Sequence, residues 1–166
     1  MDNRNNIGLD KNKTKYLAEK LNELLANYSI FYQNARGYHW NIKGEKFFEL
    51  HLKFEELYNG LLLKMDEVAE RILTLGHVPR HNYTDYSATS KIRESGQVSD
   101  GIKAVQDILA SFQTIIVLQR ALLKLASDAD DEGTNALMGD YIGEQEKLVW
   151  MYSSFLNIQA REIKKN

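Results

Sequence analysis

Two carboxylates and two imidazoles stand out by their spacing. Asp66 and Glu70 are four residues apart in a stretch with helical periodicity, so their carboxylates lie one turn above each other and can share one cation. His39 and His51 sit six residues either side of position 45, in what reads as a turn between antiparallel helices. The imidazoles therefore lie at about the same height on neighbouring helices. Imidazole with carboxylate is a ligand set suited to Fe(II), with zinc as a competitor. Open coordination positions would admit an oxidant, and carboxylates would stabilise a ferric product. Taken alone, Asp66 and Glu70 would read as a solvated helix face, and the other histidines, His77 and His81, read as structural or exposed.

Helices must position these groups. Leu17, Leu21, Leu24, Tyr28, Phe31 and Ala35 recur at spacings of three and four, which predicts an amphipathic helix from about Lys13 to Trp40. A turn at 41–44 follows. A second helix, about Lys46 to Leu75, carries Leu50, Phe54, Leu57, Leu61, Met65, Val68 and Ile72, and Gly76 and Pro79 mark its end. Residues 80–97 are polar and broken, with room for one short helix near Ser87–Arg93. A third long helix is expected from about Ser99 to Ser127, with Ile102, Val105, Leu109, Phe112 and Ile116 on one face. After the acidic stretch 128–133 a fourth runs from about Thr134 to Arg161, burying Leu137, Tyr141, Leu148, Met151, Tyr152 and Phe155. Short first and third connections with a longer crossover between helices two and three describe an all-α, ferritin-like four-helix bundle. The bundle is expected over residues 13–161, with a flexible tail at 1–12 and a short C-terminal tail at 162–166.

The second helix has a second stripe. His51, Tyr58, Leu62, Asp66, Ala69 and Leu73 lie beside the first, with Glu70 next to them, so this helix is expected to be covered from outside, most simply by another subunit. His51 and Asp66 are fifteen residues apart, so at a rise of about 1.5 Å per residue they are separated by roughly 22 Å on one helix. If the helix pairs antiparallel with its copy about a two-fold axis near Tyr58–Asn59, His51 of one subunit faces Asp66 of the other, and a His39/His51/Asp66/Glu70 site forms twice per dimer. Gly60 would ease that approach. The orthodox di-iron bundle places Glu-x-x-His motifs inside one subunit, and no such motif occurs here.

The runs at 38–44 (Tyr-His-Trp-Asn-Ile-Lys-Gly), 47–58 and 66–76, with Glu146-Lys147-Leu148-Val149-Trp150-Met151 near the end, resemble the Dps mini-ferritins (DNA-binding proteins from starved cells) over about residues 15–160. The resemblance implies a dodecameric hollow shell of two-fold dimers with ferroxidase sites at the two-fold interfaces. His39, His51, Asp66 and Glu70 match the family's catalytic metal ligands, and Trp40 matches an aromatic beside that site, in packing or in redox protection. Iron is then oxidised preferentially by hydrogen peroxide and stored as ferric mineral, protecting the cell from oxidative damage. Glu55 and Glu56 resemble cavity-facing acids that nucleate mineral, the alternative being a solvated face. Asp128, Asp130, Asp131 and Glu132 lie where family members line an acidic pore, the alternative being charge favouring the start of the fourth helix.

Composition sets further bounds. With 21 basic and 23 acidic residues and a net charge of −2, a globally basic nucleic-acid binder is excluded and any DNA contact needs a local patch. Arg4, Lys11, Lys13 and Lys15 against Asp2 and Asp10, and Arg161, Lys164 and Lys165 against Glu162, are only mildly basic, so the expectation is weak, salt-sensitive DNA binding at most. No signal peptide is visible, no uninterrupted apolar run spans a bilayer, and the absence of cysteine suits a reducing cytoplasm, with nucleoid association conditional on DNA binding. A DNA-compacting protein with an incidental metal site, or a helical or zinc-binding shell without oxidase activity, are the competing classes.

Overall fold

The computed structural model describes residues 3–156, which form five helices: α1 (Lys11–Asn41), α2 (Phe47–Thr74), α3 (Tyr83–Thr89), α4 (Gly101–Asp128) and α5 (Glu132–Phe155). Their boundaries follow from capping. The Asp10 carboxylate accepts from the Asn12 and Lys13 amides and starts α1 two residues earlier than periodicity suggested. At the end of α2, Gly76 takes a φ of 88°, and the His77 amide reaches back to the Ile72 carbonyl at 3.1 Å, closing the left-handed cap expected there. The short helix lies at Tyr83–Thr89 instead of Ser87–Arg93, because the Asn82 side chain caps it through the Asp85 amide and residues 90–92 are drawn to α1. The only β-type pairing among the described residues is an isolated bridge between Arg4 and Asp10.

The architecture is two antiparallel hairpins, α1–α2 and α4–α5, joined by α1 lying against α4. The expected apolar faces of α1 and α2 are buried, with Leu21, Leu24, Tyr28, Phe31, Phe54 and Ile72 at zero exposure. On α4 the inward residues include Val105, Ile108, Phe112 and Ile115, while Ile102 at the helix start faces outward. This helix is long and apolar enough to cross a membrane, but it packs as an inner helix of the bundle. On α5, Tyr141 is buried, whereas Met151 and Phe155, expected inside, are exposed in the single chain. They line a cleft of about 400 Å³ that opens between α2 and α5, because those two helices meet through side chains rather than through close backbone packing. The expected run of α5 to Arg161 lies outside the described residues.

Three asparagines of α1 hold the long crossover. Asn22 accepts from the Arg80 amide at 2.7 Å, and Asn34 accepts from the Ser95 amide and donates to the Arg93 carbonyl, both at 2.8 Å. Asn27, fully buried, accepts from the Lys91 and Ile92 amides at 3.0 and 3.1 Å and from the Ser90 hydroxyl at 3.2 Å. These bonds give the irregular backbone the partners that a helix or sheet would otherwise supply.

Residues 3–10 fold back as a compact turn. Asn5 accepts from the Ile7 and Leu9 amides and donates to the Leu75 carbonyl at 3.2 Å, fastening the segment to the end of α2. Lys13, one of the N-terminal cations, donates to the Asp128 carbonyl at 2.7 Å.

Candidate metal centre

The turn between α1 and α2 brings His39 and His51 face to face. Their rings stack with centroids 3.8 Å apart and planes 19° from parallel. His39 Nδ1 lies 2.7 Å from the His51 carbonyl oxygen, and His51 Nδ1 lies 2.8 Å from the His39 carbonyl oxygen. A carbonyl only accepts, so each neutral ring carries its proton on Nδ1 and keeps the Nε2 lone pair for a metal. Such reciprocal bonds fix both tautomer and ring angle, the part usually played by groups behind the ligands of a metal site. Phe47 stacks on the outer face of His51 at 5.0 Å, and the edge of Tyr58 meets His39 at 5.3 Å. His39 is buried and His51 half-buried.

Asp66 and Glu70 lie on the same unbroken helix as His51 and are exposed in the subunit. Among the described residues no three His, Asp or Glu side chains of one chain come together as a metal group. This agrees with the separation of about 22 Å along α2. The outward side of α2 is apolar. Phe48, Leu52, Leu62, Leu63 and Leu73 are 45–85% exposed there, interleaved with Asp66 and Glu70. Gly60 does not belong to this side; it lines the α2–α5 cleft, so it does not ease the approach of a second α2.

The remaining candidates separate cleanly. Trp40 is 57% exposed and covers the Arg36 guanidinium at 4.7 Å, which also lies 5.3 Å from the Tyr32 ring. Glu56 is exposed and paired with Lys53 at 2.6 Å. Glu55 is half-buried and four residues beyond His51, one turn along the imidazole side of α2. That spacing, readable in the sequence, puts a further carboxylate on the imidazole side of the helix. Of the acidic connection, Asp128, Asp130 and Glu132 are exposed. Asp131 is 2% exposed, caps α5 through the Thr134 amide, and pairs with Arg71 at 2.5 Å. Arg71 also donates to the Thr134 hydroxyl at 2.9 Å. Asp130 takes a φ of 56° where the chain turns out of α4, and this rotation aims Asp131 inward and its neighbours outward.

Known proteins share this fold. The ferritin-like domain model matches residues 18–161. A DNA protection during starvation protein of Porphyromonas gingivalis is 37% identical, over 89% of this chain and 93% of its own. The crystal structure of a DPS protein from Vibrio cholerae O1, described as a member of a broad superfamily of ferritin-like diiron-carboxylate proteins, superposes with a TM-score of 0.92 at 52% identity, covering 94% of this chain and 98% of that one. The chain belongs to the Dps family of ferritin-like proteins. A Dps protein of Bacillus brevis extends the likeness at lower identity, 30%, with a TM-score of 0.85 over 87% of this chain and 97% of its own. Dps proteins form homo-oligomers and bind iron, and in the lone subunit an apolar side of α2 is left exposed.

Proposed function

We propose that this Dps-family protein oxidises Fe(II) at sites shared between two subunits and stores the ferric product inside a hollow shell of twelve chains. The observation that carries the reading is the locked histidine pair, with both Nε2 lone pairs free, set about 22 Å from Asp66 and Glu70 on a helix whose outer side is apolar and uncovered. An antiparallel pairing of two α2 helices about Tyr58–Asn59 brings each histidine pair opposite the partner's carboxylates. His39, His51, Asp66 and Glu70 are then the catalytic ligands, with Trp40 packed at the margin.

The stacking also favours two ions per site. Two nearly parallel rings cannot both aim in-plane lone pairs at one ion, whereas each can serve its own, at the separation of about 3.5–4 Å typical of paired metals. Glu55 supplies a further carboxylate on that side of α2. Two Fe(II) together provide the two electrons that convert hydrogen peroxide and two protons into two waters, leaving two Fe(III). Peroxide is thus consumed without release of hydroxyl radical, the basis for its being the preferred oxidant. Zinc binds the same donors and blocks turnover. The exposed acids Asp128, Asp130 and Glu132 guide cations toward the interior, Asp131 being committed to Arg71, and Glu55 and Glu56 remain candidates for mineral nucleation.

The names of relatives refer to DNA protection. In this chain we assign protection chiefly to the iron chemistry, in the cytoplasm, rather than to a cationic arm. Residues 3–10 are fastened to α2, and Lys13 is engaged with α4. Arg161, Lys164, Lys165 and Glu162 lie outside the described residues. The test is anaerobic loading with Fe(II), then addition of peroxide or oxygen, followed by absorbance and sedimentation. Rapid ferric formation with peroxide and iron co-sedimenting with a soluble shell is the expected result. Oxidation no faster than in buffer, with no retained iron, would overturn the proposal in favour of the DNA-binding or scaffold classes.

A further inference from the structure

A second set of polar groups lies within the subunit, away from the α2 outer side. Lys64, whose side chain is 10% exposed, places its ammonium 2.8 and 2.9 Å from the two carboxylate oxygens of Glu144. The same ammonium lies 5.1 Å from the centre of the Tyr141 ring, and the Tyr141 hydroxyl donates to Glu67. Lys64 and Glu67 belong to α2, Tyr141 and Glu144 to α5. One cationic side chain is therefore paired with one carboxylate, Glu144, and lies over a phenol whose hydroxyl binds a second, Glu67.

Directly behind it the bundle is neutral. Tyr28 donates to Gln119 Oε1 at 2.5 Å, Gln119 Nε2 donates to Gln145 Oε1 at 2.7 Å, and Gln145 Nε2 donates back to the Tyr28 oxygen at 2.6 Å. All three residues are essentially without solvent exposure. Within the ring each member donates once and accepts once, so this buried layer offers a cation no negative charge. The edge-on contact of Tyr28 with Tyr141, at 6.2 Å, joins the layer to the lysine cluster.

We propose that Lys64 is a specificity-determining residue: its ammonium occupies the place between Glu67, Tyr141 and Glu144 that a divalent cation would otherwise take, and so confines metal to the subunit interface. Four-helix bundles that carry metal inside a subunit do so with carboxylates projecting from facing helices, and this pair of helices retains two. Hard oxygen donors of this kind suit Mn(II), Fe(II) or Mg(II). A fixed positive charge held by both oxygens of one carboxylate satisfies that carboxylate and repels an incoming dication. The inference rests on the proposed function only in taking the interface as the productive site.

The experiment measures Mn(II) binding by electron paramagnetic resonance and calorimetry in the full chain, with His51→Ala as the parent so that the interface contributes little. Lys64→Met on that parent should bind one additional Mn(II) per chain, at least about tenfold more tightly than the parent does. Adding Glu144→Gln should abolish the gain. Lys64→Gln, which removes the charge but keeps a donor toward Glu144, is read alongside in case methionine disturbs packing, with far-UV circular dichroism reporting the helices. A helical Lys64 variant that binds Mn(II) no better than the parent overturns the proposal, as does a gain that survives Glu144→Gln. If His51→Ala itself oxidised iron at the wild-type rate, the interface reading would fail, and the Lys64 comparison would still be decided by the metal titration.

Discussion

If each site takes its imidazoles from one chain and its carboxylates from another, two inactive variants should rescue each other in a fixed proportion. His51→Ala removes one half of the site and Asp66→Ala the other, and along α2 these halves are about 22 Å apart, too far for one chain to join them. In a mixed dimer, one site combines both defects and is dead. The other combines the intact histidine pair of the Asp66→Ala chain with the intact carboxylates of the His51→Ala chain. Equal amounts of the two chains associating at random give mixed pairs half of the time, each with one good site of two. The mixture should therefore oxidise Fe(II) at about one quarter of the wild-type initial rate, while each variant alone stays at the buffer rate. Co-expression, or dissociation and reassociation of the purified shells, provides the mixture, and stopped-flow absorbance after peroxide addition reads it. Varying the input ratio should trace the product of the two fractions, with its maximum at equal input. A mixture no more active than its parents, although mass spectrometry shows mixed dimers, would refute the shared site.

Other outcomes follow from the fold. Asn27→Ala should lower stability by about 2–4 kcal/mol in urea unfolding, because it leaves the Lys91 and Ile92 amides without their acceptor, while the Ser90 hydroxyl keeps the Ile92 carbonyl; hydrogen exchange at residues 91 and 92 should quicken first. Gly133→Ala improves helix propensity by up to about 1 kcal/mol. Its Cβ, however, would come within 2.8–3.0 Å of the Arg71 guanidinium, which is pinned by Asp131 and Thr134 and cannot swing away freely. Net destabilisation of about 1–2 kcal/mol is expected, and a thermal melt showing stabilisation would mean that Arg71 moves at little cost. Burial raises the pKa of the Tyr28, Tyr141 and Tyr152 phenols, reinforced at Tyr141 by its bond to Glu67, so all three stay protonated in the folded chain above pH 10 while their unfolded counterparts ionise. Stability should thus be unaffected by these groups below about pH 10 and fall above it, by about 1.4 kcal/mol per pH unit for each tyrosine. Tyr28→Phe should remove one such contribution from the slope of an alkaline urea series.

The proposed ligands stood out because metal sites constrain spacing: four residues from Asp66 to Glu70, and the symmetrical placement of His39 and His51 about a turn, which the structure does bring face to face. The long helices were legible because their buried positions recur with the helical period. What holds the imidazoles was not legible. Their partners are backbone carbonyls whose direction exists only once the hairpin has closed. Asn22, Asn27 and Asn34 look like ordinary polar positions until the crossover lies across them. Composition could not separate Asp131 from its acidic neighbours, since its burial depends on Arg71, sixty residues earlier, and on the left-handed turn at Asp130. The short α3 shifted from its expected place for a similar reason: its start is set by the Asn82 cap and its end by the pull of Asn27 on the following amides.

The bare outer side of α2 also bears on the life of a newly made chain. Helices here pair mainly with their sequence neighbours, a topology that folds quickly, whereas meeting a second chain depends on concentration. Each nascent subunit therefore passes through an interval in which Phe48, Leu52, Leu62, Leu63 and Leu73 face water as a sticky strip. Asp66 and Glu70, interleaved among them, act meanwhile as gatekeepers: their charge keeps the strip from clumping with unrelated surfaces. The two carboxylates proposed as iron ligands thus also serve solubility before assembly, and replacing them with apolar residues should be felt first in expression and aggregation.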